Sequence, residues 1–182
     1  SQDISEVDAD VIAREVVQQG QPALVQIHQA FGDWVLLENG ELNRTALREY
    51  IFQFPEARKT LESITHPAIR HSIILQLEQT QSAYALLVSP LLFETNQHQL
   101  TQRTLLIDAT EALQIERASQ RDGQNIEQIK KIIRAQLPRA KKQQLADDIV
   151  LNDGHLDHLY QHLQQLHASY LILAKKNQSN ED

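Results

Sequence analysis

No cysteine occurs anywhere in the 182 residues. That excludes disulfides, thiolate nucleophiles and cysteine-ligated zinc, and it suits a reducing compartment, so a cytoplasmic location is expected. Methionine is absent as well, and the first residue is Ser1. No run of 18 apolar residues is present, and no basic segment leads into an apolar one, so neither a membrane span nor a secretory leader can be read. Positive charge is in the minority: 17 Lys+Arg stand against 24 Asp+Glu, a formal net charge of −7. Such a balance argues against a general nucleic-acid binder. Glycine is scarce, with Gly20, Gly32, Gly40, Gly123 and Gly154 the whole set. None of them lies in a G-x-x-x-x-G-K-[ST] pattern, so the chain has no glycine-rich phosphate cradle of that kind.

What is present reads as an ordinary folded protein: 41% hydrophobic and 23% charged residues, in a length suited to one domain with a subdomain. Residues 4–8 read as a short strand. Val11, Ile12, Val16 and Val17 share a helical face over 10–19, which Gly20 can close in the left-handed conformation. Pro22 opens a second helix that ends near Gly32, and Asn39-Gly40 marks a turn. Asn43 caps a helix running to Phe52. Pro55 opens another, which His66-Pro67 is expected to interrupt before it resumes to Gln79. YALLVSPLLFE (84–94), RTLLIDA (103–109) and DIVLND (148–153) read as strands buried on both faces, as in a parallel sheet. Between and after them, helices are expected at 111–121, from Asn125, from Pro138, and over 155–174. The last carries Leu156, Leu159, Leu163, Leu166 and Tyr170 along one stripe. Residues 175–182 read as a disordered tail. Alternating strands and helices predict an open, mainly parallel α/β sheet with a helical insertion over 43–80. Ligands of such sheets bind beyond the carboxyl ends of the strands. Asp8, Ser89-Pro90, Asp108 and Asn152-Asp153 all fall there.

Three groups of residues carry chemistry. In EVDADVIAR, Asp10 reads as the cap of a helix beginning at Val11, and Asp8 as a strand-end carboxylate able to accept a proton from a substrate hydroxyl. Arg14, one helical turn beyond Asp10, could hold an anion or orient either acid. Arg117 and Arg121 share a helix face, and Lys130, Lys131, Arg134, Arg139, Lys141 and Lys142 follow with no acid among them. That spacing fits a phosphate clamp and a solvated helix face equally well. His155, His158 and His162 have the spacing of a zinc face but sit in a Gln- and His-rich helix, so they read as surface residues and no protein-held metal is expected.

Taken in order, VDADVIAR (7–14), LREYIF and its following FPEARKTLESITHPAI (47–69), LLVSPLLFE (86–94), RASQRDG (117–123) and QLPRAKKQQLADDIVLNDG (136–154) span nearly the whole chain. Together they resemble the dephospho-coenzyme A kinases, P-loop kinases of the nucleoside-kinase type. The resemblance implies one P-loop-kinase-like domain over 1–182, with a helical acceptor-binding insertion at 43–80 and a lid region at 111–145. It implies transfer of the γ-phosphoryl group of ATP, with Mg²⁺, to the ribose 3′-hydroxyl of dephospho-coenzyme A, the last step of coenzyme A synthesis. Asp8 would receive the hydroxyl proton, and Arg121 and Arg117 would close over the phosphates. Asp10, Arg14, His66, Pro67, Leu91, Leu92 and Glu94 would line the acceptor site, and Arg139, Asn152 and Gly154 would lie by the adenine and ribose of ATP. The implied partners are these two nucleotides, with no nucleic acid and no membrane, in a monomer or weak homo-oligomer.

The missing G-x-x-x-x-G-K-[ST] departs from the family pattern. By comparison with the family, roughly thirty residues are expected ahead of Ser1, carrying the phosphate cradle and a strand between those at 84–89 and 103–109. Two other expectations compete: a non-catalytic remnant that binds a coenzyme A-like ligand, and a basic-helix module for nucleic acid, which the net charge disfavours.

Overall fold

The computed structural model describes residues 4–179 except 124, and of residue 122 the backbone only. Two compact units divide the chain, residues 1–89 and residues 90–182.

In the first unit, β1 (Ser5–Asp8) pairs in parallel with β2 (Ala85–Val88), setting Val7 opposite Leu87 and Asp8 opposite Val88. Four α-helices and a short 3₁₀ helix (Asp33–Val35) lie between these strands in sequence. The first, α1 (Ala9–Glu15), starts two residues earlier than the DAD pattern predicts, and its cap is Asp8 rather than Asp10. Asp8 still has the extended backbone of the strand, so its carboxylate folds over the first turn and takes the orphan N–H groups of Asp10 and Val11. Asp10 lies inside the turn and is exposed. The helix α1 stops at Glu15, short of the expected 19, and the chain turns at Gly20 with φ +87°.

Pro22 opens α2 (Pro22–Phe31), and Asn43 caps α3 (Arg44–Gln53) through the Ala46 N–H, both as expected. The break expected at His66-Pro67 does not occur: α4 (Pro55–Glu78) runs through it as one helix of 24 residues. An interior proline gives up the bond to the carbonyl four residues back and crowds it, a cost of about 3 kcal/mol. Burial on both sides of the defect outweighs that cost. Val17, Ala23, Ile27, Val35 and Leu47 form the core of the unit, and Leu61, Ile64 and Ala68 of α4 pack against it from either side of Pro67. Ile73, further along, is fully buried. Each fully buried aliphatic side chain contributes roughly 1.5–3 kcal/mol. Ser63, whose carbonyl loses its partner, faces solvent, as do His66 and Pro67.

In the second unit, β3 (Leu105–Asp108) pairs in parallel with β4 (Asp148–Leu151), Leu105 opposite Asp148 and Asp108 opposite Leu151. Three helices connect them. Thr110 caps α5 (Glu111–Asp122), which Gly123 ends in the left-handed conformation. Asn125 caps α6 (Ile126–Ala135), and α7 (Arg139–Leu145) follows Pro138. The final helix, α8 (Leu156–Gln178), continues four residues into the stretch expected to be disordered, and 180–182 lie outside the described residues. Along its predicted stripe, Leu159, Leu163, Leu166 and Tyr170 are half-buried, whereas Leu156 is exposed.

A network ties the amino end of the β3–β4 pair. Arg103 donates two hydrogen bonds to the Asp148 carboxylate at 2.6 and 2.9 Å, and the Tyr170 hydroxyl of α8 donates a third at 2.7 Å. Arg103 holds Asp148 below the usual carboxylate range, while burial and the adjacent carboxylate push the Tyr170 hydroxyl up.

Both strand pairs are parallel, with helices on both sides, the α/β class expected. The strands are not buried on both faces, however. Leu86, Val88, Ile107, Ile149 and Leu151 are 39–47% exposed. Among the described residues each sheet has two strands, so each strand keeps an open edge, and alternation turns every second side chain outward.

Candidate active site

Several of the expected site residues lie at the carboxyl ends of the strands, one group in each unit. In the first unit the group is built on Asp8. One carboxylate oxygen, Oδ1, is held by the N–H groups of Asp10 at 2.8 Å and Val11 at 3.2 Å. The other has no protein donor among the described residues and remains available as an acceptor. A cap that spends one oxygen on the helix fixes the direction of the second. Arg14 sits in the last turn of α1, and its carbonyl accepts a hydrogen bond from the Arg44 guanidinium at 3.4 Å. Arg44, at the start of α3, thus reaches the last turn of the helix that Asp8 caps. Arg44 was not legible as part of this group, because its partner is 30 residues away. His66 and Pro67 belong to the same unit, on the exposed side of α4.

In the second unit, Asp108 is the centre. It ends β3, is 5% exposed, and accepts from Arg139 Nε and Nη2, both at 2.8 Å, and from Gln143 Nε2 at 2.8 Å. Arg139, foremost among these partners, holds the Asp108 carboxyl below the usual range. The Asp108 carbonyl accepts the Asn152 N–H at 2.7 Å, just beyond β4. Arg117 of α5 donates to the Asn152 carbonyl at 2.9 Å. Its guanidinium also lies 3.8 Å from where a Gly154 side chain would begin, and Gly154 has φ +108°, which only glycine adopts freely. Arg117, Arg139, Asn152 and Gly154, the expected nucleotide and lid residues, therefore converge on one strand end. Arg121 lies one turn further along α5 and is exposed.

The expected acceptor residues are divided. Leu91, Leu92 and Glu94 belong to the second unit, in the turns after β2. There Glu94 accepts the Leu137 N–H at 3.1 Å and so anchors the segment leading into α7. Two cations of the basic stretch have local partners: Lys130 pairs with Glu127, and Lys142 donates to the side-chain carbonyl of Gln136. The rings of His155 and His158 are tilted by 44° with centres 5.5 Å apart. Among the described residues no group of three or more His, Asp or Glu could hold a metal ion.

The family model for dephospho-CoA kinase matches residues 1–158. The chain belongs to the dephospho-CoA kinase family. A dephospho-CoA kinase of Acinetobacter baylyi is 70% identical over 170 residues, covering 93% of this chain and 87% of that protein. One from Psychrobacter arcticus is 47% identical over 178 residues, covering 96% of this chain and 77% of its own length. Among solved structures, dephospho-CoA kinase from Campylobacter jejuni superposes with a TM-score of 0.67 at 26% identity, covering 96% of this chain and 87% of that one. A crystal structure from Thermus thermophilus gives 0.78 at 27% identity, over 92% and 85%. Membership of the dephospho-CoA kinase family makes the chain a kinase of coenzyme A synthesis, a phosphotransferase acting on an alcohol. Among its described residues no helix is long and apolar enough to cross a membrane.

Proposed function

We propose that the complete protein transfers the γ-phosphoryl group of ATP to the ribose 3′-hydroxyl of dephospho-coenzyme A, giving coenzyme A and ADP. The observation that carries this reading is the family match over 1–158 together with the strand-end position of its polar residues. Asp8 accepts the proton of the attacking hydroxyl on the oxygen that the α1 cap leaves available. Fixing that oxygen beforehand favours in-line attack without a search for geometry. Asp10, Arg14, His66, Pro67, Leu91, Leu92 and Glu94 serve the acceptor. Arg139, Asn152 and Gly154 serve the adenine and ribose of ATP. Arg121 stabilises charge on the transferring group, and Arg117 acts chiefly by holding the Asn152 carbonyl.

Mg²⁺ accompanies ATP in this chemistry. The described residues offer no ready-made cage for it, so nothing in the scheme depends on a metal held by them. The 182-residue chain also lacks a G-x-x-x-x-G-K-[ST] cradle, and by itself it is proposed to be inactive. The working state is a cytoplasmic monomer or weak homo-oligomer, free of nucleic acid. Incubating the complete gene product with ATP and dephospho-coenzyme A, and separating the products by chromatography, tests the reading. Coenzyme A should accumulate with ADP in equal amounts; its absence overturns the assignment.

A further inference from the structure

Two ion pairs of the same chemical form brace the β3–β4 pair at opposite ends. At the amino end, Arg103 grips Asp148 with two hydrogen bonds. At the carboxyl end, Arg139 grips Asp108 in the same bidentate way. Their surroundings differ. Asp148 is bonded on its remaining side by Tyr170, within the packing of α8. Asp108 is almost fully buried, and its main-chain carbonyl also holds Asn152, the residue that Arg117 grips from the other side. Asp108 therefore bonds directly to two segments that reach the strand end separately, the start of α7 and the turn after β4.

We propose that Asp108 is a positioning residue of the nucleotide site, which fixes the Arg139 guanidinium through its carboxylate and the Asn152 backbone through its carbonyl, so that both meet the adenine and ribose end of the donor. This inference rests on the nucleotide-site reading given above. The geometry leaves Arg139 equipped for the role. Its Nε and Nη2 are spent on Asp108, while Nη1 and the flat face of the guanidinium are not, and the side chain is 41% exposed. A guanidinium already locked in one plane loses little freedom when a ligand arrives. Gln143, donating to the same carboxylate oxygen as Arg139 Nη2, restrains the pair from a second side. Asp108 touches no substrate in this arrangement and acts only through Arg139 and Asn152.

The test uses the complete gene product and four proteins: wild type, Asp108→Asn, Gln143→Leu and Arg103→Gln. ADP and ATP affinities are measured by calorimetry, alongside kcat, both KM values and the thermal midpoint. Asp108→Asn should weaken ADP and ATP by the same factor, about tenfold, or about 1.4 kcal/mol. Its kcat at saturation and its KM for dephospho-coenzyme A should stay at wild-type values. Gln143→Leu should move nucleotide affinity the same way by less. Arg103→Gln, the matched pair at the other end, should lower the thermal midpoint and leave nucleotide affinity unchanged. The proposal is overturned if Asp108→Asn behaves like Arg103→Gln, or if it weakens ATP but not ADP, which would place its effect at the γ-phosphate. If Asp108→Asn does not fold, wild-type ADP affinity in Gln143→Leu overturns it instead. A wild-type protein that binds neither nucleotide would remove the nucleotide-site reading itself, and this inference with it.

Discussion

The helix cap that Asp8 makes and the proton acceptance proposed for it can be separated. Asparagine caps a helix as well as aspartate does but cannot take up a proton. Asp8→Asn should therefore keep the thermal midpoint near that of wild type and lower kcat by about 10²- to 10⁴-fold, with little change in either KM. Asp8→Ala should add a stability loss of about 1 kcal/mol from the cap. Asp10 is exposed and is not the cap, so Asp10→Asn should leave stability unchanged and affect turnover far less than Asp8→Asn. Equal kinetic losses at 8 and 10 would refute this division. Arg121 makes a different kind of prediction. If its planar fork meets charge that develops during transfer, Arg121→Lys should fail to rescue activity, and Arg121→Ala should lower kcat by about 10²-fold or more with a smaller change in the ATP KM. Wild-type turnover in Arg121→Ala would return the residue to the role of a helix-end cation, for which its place in the last turn of α5 also suits it.

The β3–β4 pair should show its carboxylates in the acid range. Asp108, Asp147 and Asp148 are all held below the usual value: Asp108 by Arg139, Asp147 by hydrogen bonds from Thr104, and Asp148 by Arg103. Between the folded and unfolded values, the unfolded chain binds more protons than the folded one, so stability rises with pH there. The contribution is complete above the ordinary carboxylate value of about 4 and is lost as pH falls through the folded values. Urea unfolding followed by circular dichroism from about pH 7 to about pH 2 should show this loss. Asp148→Asn should be less stable at neutral pH and show a shallower acid dependence. Parallel curves for the two proteins would show that the pair contributes nothing to the acid transition. The first unit offers a different lesson at this scale. The helix α4 survives an interior proline because its apolar residues pack on the core on both sides of the defect, which no local rule could weigh.

For the molecule as a whole, the open strand edges and the absence of a G-x-x-x-x-G-K-[ST] pattern from the 182 residues point the same way. Outward-facing Leu86, Val88, Ile107, Ile149 and Leu151 lie on strands that each lack one neighbour among the described residues. Such edges recruit other chains. The 182-residue chain should bind a hydrophobic dye, scatter light on mild heating, and give no coenzyme A from ATP and dephospho-coenzyme A. Measurable turnover by this chain would show that some other part of it cradles the β- and γ-phosphates.

Local chemistry in the sequence determined most of the elements. Asn43, Asn125, Pro22 and Pro55 each start a helix where capping and proline geometry require it, and the expected strands begin within two residues of β1 to β4, although the run at 84–94 leaves the strand after Val88. The ordered motifs from VDADVIAR to DIVLNDG determined the family, because a set of that length in that order does not arise from composition. Tertiary structure alone decided which side chains meet. Asp108 finds Arg139 at 31 residues' separation, and Arg117 finds Asn152 at 35. It also decided which aspartate caps α1, since that turned on the extended backbone that pairing with β2 imposes on Asp8. Capping, turns and periodicity act within a few residues and are written locally. Pair formation across a sheet depends on register and crossover geometry, which belong to the folded chain.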